Sequence, residues 1–405
     1  MSRATSLGFG RYRAVLSLPG IRPLLAAAFV GRLPVAMVSL TIVLLVSQES
    51  GSYATAGAVS ATQAMASAIF SPFLGRLIDR LGQTPVLVGC AIAFPISVAL
   101  LIAVANAKPE LLPLMACAVP FGISFPPLFA SLRALLSKLA GEELTESAYA
   151  FEAVTQEIFF IIGPVLVAVL VAAASPQVAM GVAAAMTCVG TLSFAALPPS
   201  REWRVEGDAA HRWIGALASP GMRTLLVISA AFGLAFGTLE VTMPAFADEH
   251  GSAGTAGVLL AGAAVGSMTG GLVYGARNWA ADQSTLLVRF SIFFAIALAP
   301  LALADSMPAM FVLLLLAGGF IAPWAATTYV LVGRLAPAGT LTEAFTWETT
   351  AVVAGFAGGG ALSGVLVESA GVSEALIASS ALAGVAAAIA WIARSRLTNE
   401  KSGNG

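Results

Sequence analysis

Long apolar stretches separated by short polar segments run along the whole chain. A helix needs about 20 mostly apolar residues to cross a hydrocarbon core about 30 Å thick at 1.5 Å per residue. The stretches are continuously apolar and do not alternate at every second residue, which indicates helices and excludes a strand barrel. The pattern predicts twelve membrane helices, near residues 22–47, 54–74, 85–106, 110–134, 149–174, 177–197, 222–246, 253–275, 284–304, 308–332, 344–367 and 373–393.

The composition places the chain in lipid. Apolar residues make up 58% and charged residues 10%, against about 25% charged in a typical soluble domain. So few charges cannot cover a water-exposed surface, so the chain is an integral membrane protein whose surroundings are the lipid bilayer. The net charge of −1 gives no reason to expect a nucleic-acid partner.

Basic residues alternate from one side of the membrane to the other. With both termini in the cytoplasm, every Lys and Arg except Lys108 and Arg32 falls in a cytoplasmic stretch. Lys108 lies in an exterior loop and Arg32 inside the first span. This distribution follows the positive-inside rule, and it predicts a multi-pass protein of the cell (inner) membrane with both termini cytoplasmic.

This topology places Val205 and His250 on opposite faces of the membrane. Cysteines introduced at these two positions should therefore react with a membrane-impermeant thiol reagent from opposite sides of oriented vesicles. Labelling of both from the same side would contradict the predicted number of spans.

The two halves of the sequence repeat each other. Thr55-Ala56-Gly57 recurs 200 residues later as Thr255-Ala256-Gly257, and the five residues 148–152 recur 196 residues later as 344–348. Such order indicates two six-helix halves in parallel orientation. We predict bundles over residues 1–197 and 222–395, a polar cytoplasmic linker over 198–221 and a tail over 396–405.

The segment after the second span carries a family signature. Residues 75–82 read Gly-Arg-Leu-Ile-Asp-Arg-Leu-Gly, which resembles the Gly-x-x-x-Asp-Arg-x-Gly signature of the major facilitator superfamily. The two basic residues that follow in the family are Gln83 and Thr84 here. The resemblance covers the whole chain and implies an all-α fold of two pseudo-symmetric six-helix bundles. It also implies alternating access to a central site lined by the first, fourth, seventh and tenth helices.

The resemblance also implies a conformational latch formed by Gly75, Asp79, Arg80 and Gly82. By this resemblance, the carboxylate of Asp79 is expected to contact the start of the eleventh helix. A carboxylate near a helix N-terminus is stabilised by about 0.3–1 kcal/mol when exposed. An ordinary polar loop is the alternative. The corresponding segment of the second half, residues 275–279, lacks an acidic residue, so the latch is expected on one side only.

Ionisable side chains also lie inside predicted spans, where each costs about 2.5–3.5 kcal/mol. Arg32 and Glu157 lie at similar depths, and Glu152 lies somewhat nearer the cytoplasm, so we expect Arg32 to face Glu157 or Glu152. This is either a structural ion pair or a proton or substrate site. Glu240 has no basic residue at comparable depth and is either a proton carrier or a residue reaching the outer interface. Glu348, the counterpart of Glu152, is interpreted as a structural charge near a helix start.

Proline and polar residues suggest a cavity. Pro34, Pro126-Pro127 and Pro323 should bend the first, fourth and tenth helices, because proline lacks an N–H group. The residues near these bends, and one deep amide, are the predicted cavity lining, although core packing would explain each one singly: Met37, Phe125, Gln156, Trp324, Thr327 and Thr328. This set favours a small apolar or amphipathic organic ligand.

Glycine stripes mark the eighth and eleventh helices. Gly262, Gly266 and Gly270 recur at four-residue spacing, as do Gly355 with Gly359 and Gly360 with Gly364. Small residues at this spacing allow two helix backbones to approach closely. We expect close packing, with sliding between the bundles as the functional alternative.

Nothing in the sequence favours an enzyme. His211 lies in the linker and His250 in an exterior loop, and no Walker-type sequence is present, so ATP is not expected to drive the protein directly. The sequence predicts no metal and no cofactor. The preferred interpretation is a monomeric secondary transporter with a small-molecule substrate, exporting it in exchange for protons. Uptake or facilitated diffusion of a metabolite or sugar, and a non-transporting receptor or scaffold, remain open.

Overall fold

The chain folds entirely into helices and connecting segments over the residues that the computed structural model describes, which are 10–107, 110–204, 214–250 and 255–398; no β-strand occurs in them. Arg3, Lys108, His211, Arg212 and Lys401 lie outside these ranges. In the first half the helices are Gly10–Ser17 (α1), Ile21–Arg32 (α2), Val35–Ser50 (α3), Tyr53–Leu81 (α4), Gln83–Asn106 (α5), Leu111–Ile123 (α6), Leu128–Leu139 (α7), Gly141–Ala173 (α8), Pro176–Ala196 (α9) and Pro198–Arg201 (α10).

The second half also has six spans, but its first span is one continuous helix. Its helices are Pro220–Glu249 (α11), Ala256–Gly275 (α12), Gln283–Leu298 (α13), Met307–Gly318 (α14), Ile321–Leu335 (α15), Leu341–Ser369 (α16), Val372–Ile392 (α17) and Arg394–Thr398 (α18). Short 3₁₀ segments occur at Gly215–Ala218 and Ala299–Leu303.

Eleven spans in the described ranges are long and apolar enough to cross a membrane, counting α2–α3, α6–α7 and α14–α15 each as one span. The predicted second span, α4, does not meet this hydropathy criterion, because Ala, Ser, Thr and Gln63 fill its first half. At 29 residues it is about 43 Å long and packs beside α3 and α6. It therefore completes the predicted set of twelve spans.

Three spans are interrupted near the middle. The first breaks between Arg32 and Val35 at Pro34, and the fourth is not helical over 125–127, where Pro126 and Pro127 lie. In the tenth the break precedes Pro323 and falls at 319–320, because proline is tolerated in the first turn of the following helix. These breaks allow side chains from α2, α7 and α15 to converge near the middle of the molecule.

The glycine stripes pack helices within the second half. A Cβ atom at Gly355 or Gly359 of α16 would lie 2.0 Å from the carbonyl oxygen of Ala230 or Leu234 in α11. Gly266 of α12 has the same relation to α14, at 2.1 Å from the oxygen of Leu315. Since each of these contacts joins two helices of one bundle, the stripes serve close packing and not sliding between bundles.

The two bundles are joined at one end of the molecule. We call it the basic end, because Arg76, Arg80, Arg277 and Arg334 lie there; the other is the outer end. Helices α4 and α7 of the first half contact α16 of the second, and α8 contacts α12 and α15. The cross-half hydrogen bonds described below all lie between the basic end and the level of Glu157 and Thr350.

Substituting Gly359 by Ala should destabilise the protein, because the added methyl group meets the backbone of α11. Forcing extra atoms into a packed interface costs about 1–3 kcal/mol, so the Tm in detergent should fall by several degrees. Gly364→Ala on the same helix is the matched control, because its Cβ would meet no atom within 4 Å. Equal melting temperatures for the two variants would contradict the packing role of Gly359.

Candidate functional site

A buried cluster of charges lies near the middle of the first half. Glu152 of α8 places its Oε1 atom 3.0 Å from Arg32 Nη1 and 3.0 Å from Arg133 Nε. The side chains of Arg32, Arg133 and Glu152 are 1%, 3% and 0% exposed. Of the two partners expected for Arg32, Glu152 is therefore the one it contacts, and this single carboxylate holds two guanidinium groups.

Arg133 also reaches across to the second half. Its Nη2 atom donates a 2.7 Å hydrogen bond to the Tyr329 hydroxyl of α15, and its Cζ atom lies 3.7 Å from the centre of that ring. Its Nη1 atom is 3.6 Å from Glu348 Oε2 and donates to Thr349 Oγ1 at 3.3 Å, both on α16. Nη2 also donates to Gln156 Oε1 at 3.0 Å. Arg133 thus connects both bundles through one side chain.

Arg133 and Tyr329 were not predicted from the sequence as members of this cluster, since Arg133 was expected among the cytoplasmic basic residues. Glu348, interpreted from the sequence as a structural charge, joins them through Arg133. The repeat offered a signal: residue 329 minus 133 and residue 348 minus 152 both give 196, the offset of the matching segments. Arg133 and Tyr329 are therefore pseudo-symmetric equivalents, and so are Glu152 and Glu348. The four residues meet at the boundary between the halves.

The first-half cluster contains hydrogen-bonding capacity that is not used. Arg32 lies 4.7 Å and 5.0 Å from the ring centres of Phe129 and Phe159, a cation–π geometry. Its Nη2 atom and Glu152 Oε2 have no hydrogen-bond partner among the described residues, and Nη1 meets Glu152 by charge without hydrogen-bond alignment. A buried polar atom without a hydrogen bond lowers the free energy of unfolding by about 1–3 kcal/mol. The cluster therefore retains an unused donor and an unused acceptor.

Glu157 and Glu240 occupy a different part of the site. Glu157 is half-buried and accepts a 2.8 Å hydrogen bond from Ser267 of α12, whose hydroxyl oxygen accepts the backbone N–H of Ala322. Glu240 of α11 is also half-buried and close enough for its charge to interact with that of Glu157. In the described ranges neither carboxylate pairs with a basic side chain. The two halves thus each contribute one unneutralised acid.

Asp79 lies against the first turn of α16. Its Oδ1 atom accepts the N–H of Thr342 at 3.0 Å, and its Oδ2 atom accepts the N–H of Glu343 at 2.8 Å. These N–H groups have no partner within their own helix, and the positive end of the helix dipole favours a carboxylate there. Gly75 permits the approach, since a Cβ atom there would lie 2.5 Å from Thr346 Oγ1.

The rest of the signature ends α4 and adds an ion pair. Gly82 has a φ of +92°, a conformation that favours glycine, and it ends α4 directly after Leu81, the residue that follows the exposed Arg80. Arg76 forms a bidentate pair with Glu343, with distances of 2.6 Å and 3.1 Å. This pair was not anticipated, and it places a second cross-half contact beside Asp79.

The end of α12, on the other side of the basic end, is held by hydroxyl groups and not by a carboxylate. On the other side of the basic end, Tyr12 donates to the backbone oxygens of Gly271 and Leu272 at 3.0 Å, and Ser147 donates to that of Gly275 at 2.7 Å. Burial raises the pKa of Tyr12 to about 12, so its hydroxyl remains a donor at neutral pH. The end of α12 presents carbonyl oxygens and not N–H groups. Hydroxyl groups, which can donate hydrogen bonds, therefore stand in place of the missing acid.

Most of the predicted cavity lining belongs to the packed interior instead. Met37 is 0% exposed and packs against Phe159, and Phe125 is half-buried edge-on to Phe94. Trp324 stacks on Phe232 at 3.8 Å and donates to Ser291. Thr327 bonds its own helix, and Thr328 is fully buried with no partner for its hydroxyl among the described residues. Of the predicted lining, Gln156 alone lies in the charged site.

Twelve spans in two bundles, joined at one end around buried charges, define a membrane transporter. Comparison with known proteins agrees. The Major Facilitator Superfamily model matches residues 24–282. An uncharacterized MFS-type transporter of Sinorhizobium fredii, y4rN, is 26% identical over 402 residues, covering 94% of this chain and 96% of its own. The chain belongs to the Major Facilitator Superfamily, and it is a multi-pass membrane transporter of small molecules and not an enzyme.

Solved structures show the same fold at low sequence identity. The human organic anion transporter MFSD10 superimposes with a TM-score of 0.71 at 16% identity, over 91% of this chain and 99% of its own. A bacterial homologue of the iron transporter ferroportin in the outward-facing state gives 0.72 at 13% identity, over 92% and 98%. The Escherichia coli fucose:proton symporter gives 0.69 at 14% identity, over 92% and 98%.

Asp79→Asn should weaken closure of the basic end. The amide removes the negative charge and turns an NH₂ group towards a backbone N–H, so about 1–3 kcal/mol of stabilisation should be lost. Spin labels at Leu81 and Asn278, which are exposed on the two halves at this end, should report a larger population with long distances. Asp305→Asn, in an exposed loop, is the control. An unchanged distance distribution for Asp79→Asn would show that it is no latch.

Proposed function

We propose that the protein is a secondary active transporter that exports a small organic solute across the cytoplasmic membrane in exchange for protons, by alternating access. The observation that carries this proposal is the pair Glu157 and Glu240. These carboxylates come from opposite halves, are half-buried, and lie at the level where the cross-half hydrogen bonds stop. A group placed there can exchange with the outer side while responding to movement of either bundle.

The conformation fits the outward-facing stage of such a cycle. By the positive-inside rule the basic end faces the cytoplasm, and the contacts of Asp79, Arg76 and Tyr12 hold that end together. The similarity to a transporter homologue solved in the outward-facing state supports this assignment. Both termini are then cytoplasmic, the bundles cover residues 1–197 and 222–395 on either side of the 198–221 linker, and one chain suffices for the cycle.

The coupling ion follows from the charges. Glu152 is already neutralised by two guanidinium groups, so Arg32, Arg133 and Glu152 form a fixed structural and positioning cluster. Glu157 and Glu240 have no cationic partner among the described residues, and a bare charge at this depth is costly. Protons are the simplest neutralising ions available, so these two carboxylates are the proposed proton carriers.

The polar groups near the carriers suit an amphipathic organic substrate. Gln156, the neighbour of Glu157, and Thr349 are half-buried polar residues whose side-chain oxygens accept hydrogen bonds from Arg133. Phe236 and Phe356 contact each other at 5.8 Å between ring centres and are partly exposed on α11 and α16. Binding sites for small organic ligands commonly combine such apolar walls with a few directional polar groups.

Reconstituted vesicles test the coupling. A pH gradient, acidic on the outer side, should drive export of a substrate identified by screening dyes and antibiotics in a pump-deficient strain. Glu157→Gln and Glu240→Gln should each lower this gradient-driven flux at least tenfold, because a neutral amide cannot bind and release a proton. Substrate exchange without a gradient should persist in both variants, since it needs no proton movement.

The control is Glu374→Gln, which removes an exposed carboxylate from the start of α17 and should leave flux unchanged. If both carrier variants keep wild-type gradient-driven flux, the assignment of Glu157 and Glu240 is wrong. Accumulation of solute in the same direction as the protons would favour uptake. Failure of the wild type to move any solute would favour a receptor or scaffold.

A further inference from the structure

Glu348 is held differently from the other buried carboxylate of the charged site. It lies on α16 and is 3% exposed, and its ion-pair partner among the described residues is Arg133 Nη1, at 3.6 Å in the opposite half. Glu152 instead has two guanidinium nitrogens at 3.0 Å. Arg133 is therefore held more closely by the carboxylate of its own bundle than by the carboxylate of the other.

We propose that Glu348 is a further proton-binding residue of the transport cycle, and that its ion pair with Arg133 is a proton-controlled contact between the two halves. This inference rests on the proposed function but adds a coupling residue distinct from Glu157 and Glu240. With Glu348 ionised, Arg133 joins the bundles. With Glu348 protonated, Arg133 stays with Glu152 and its ionic contact with the other bundle is lost, while the pair of Arg76 with Glu343 remains.

The surroundings of Glu348 contain few groups that could replace this contact. From the first half, α7 presents Arg133 and α8 presents Glu152, whose charge also acts on Glu348. From the second half, α15 presents the Tyr329 hydroxyl. Helix α4 presents Arg76 and Asp79, but these engage the first turn of α16, five residues nearer the basic end. The remaining charges on α11 and α17 lie away from Glu348, with Arg223 at the start of α11 and the others towards the outer end: Glu240, Asp248, Glu249 and Glu374.

The charge balance gives the proton a defined effect. Arg32 and Arg133 contribute two positive charges, and Glu152 and Glu348 contribute two negative charges, so the cluster is neutral when all four are ionised. A proton on Glu348 leaves one excess positive charge and breaks the ionic link that Arg133 makes across the boundary. The remaining links from Arg133 to the second half go to the uncharged hydroxyls of Tyr329 and Thr349. Neutral hydrogen bonds are weaker than charge-assisted ones.

The position of Glu348 gives this effect a direction. Its contact with Arg133 lies between the bundles on the closed, basic side of the site. Its neighbours Thr349 and Thr350 are half-buried and therefore partly accessible. A proton arriving from the outer end therefore favours opening of the basic end. That is the step an exporter requires after it has released its substrate outside, and the proton is then released into the cytoplasm.

Spin-label distances across the basic end, measured without substrate, test the inference. With labels at Leu81 and Asn278 on a variant whose three native cysteines are replaced by serine, the ratio of open to closed molecules should rise as the pH falls. One linked proton allows a change of up to about tenfold per pH unit. Glu348→Gln should be mostly open at every pH, with that dependence reduced at least fivefold. Glu348→Asp should restore a pH-dependent ratio.

Glu343→Gln is the matched control. It removes another buried carboxylate of α16 that pairs across the halves, with Arg76. It should raise the open population but keep the pH dependence of the wild type, because Glu348 is intact. Both variants must remain monodisperse, and the restored response of Glu348→Asp excludes misfolding as the cause of a lost response.

The possible results separate the two proposals. A Glu348→Gln variant with the pH dependence of the wild type, or a wild type with none, overturns the role of Glu348. Neither result bears on Glu157 and Glu240, which are tested by gradient-driven flux. Conversely, a pH-dependent closure that Glu348→Gln abolishes upholds Glu348 even if no solute is exported and the proposed direction of transport fails.

Discussion

The cost of placing charge inside a membrane governs the centre of this protein. Arg32 and Arg133 would be prohibitive as isolated ions, and Glu152 makes them tolerable by contacting both at 3.0 Å. The aromatic rings of Phe129, Phe159 and Tyr329 complete the shell around the two guanidinium groups. Because Arg133 then extends to Tyr329 and Glu348, the neutralisation of charge in one bundle also determines how the other bundle is held.

The need to give polar groups partners also determines the contacts at the basic end. Helix ends present N–H or carbonyl groups without partners, and the closure uses both kinds. Asp79 accepts two N–H groups at the start of α16, whereas Tyr12 and Ser147 donate to carbonyl oxygens at the end of α12. An acceptor is needed at the start of a helix, where N–H groups lack partners, and a donor is needed at its end, where carbonyl oxygens lack partners. Such hydrogen bonds can be broken and formed again without placing an unpaired charge in the lipid. This property suits a protein whose bundles must separate.

Sequence reasoning succeeded where one physical property dominates and failed where packing decides. Hydropathy and charge placement predicted the spans, although the small and hydroxyl residues of α4 put it below a strict hydropathy threshold. Pro34 and Pro126-Pro127 predicted two of the breaks. Most of the predicted cavity residues are packed in the interior, and the sequence could not distinguish these places, because in a membrane protein an apolar side chain such as Met37 or Trp324 suits an internal core, a cavity wall and the lipid face equally well. Arg133 was missed because it lies at the edge of a predicted span.

The sequence by itself determined the helical class, the number of spans, the two-fold repeat and the presence of buried charge that must be neutralised, since each follows from the transfer cost of side chains and backbone into lipid. The tertiary structure alone decided which charges meet. Arg32 could have faced Glu157 or Glu152, and only the rotation and depth of α2 against α8 select Glu152. Likewise, only the approach of the two bundles brings Arg133 to Glu348, because a contact across the pseudo-symmetry boundary depends on distances between helices that no local pattern encodes.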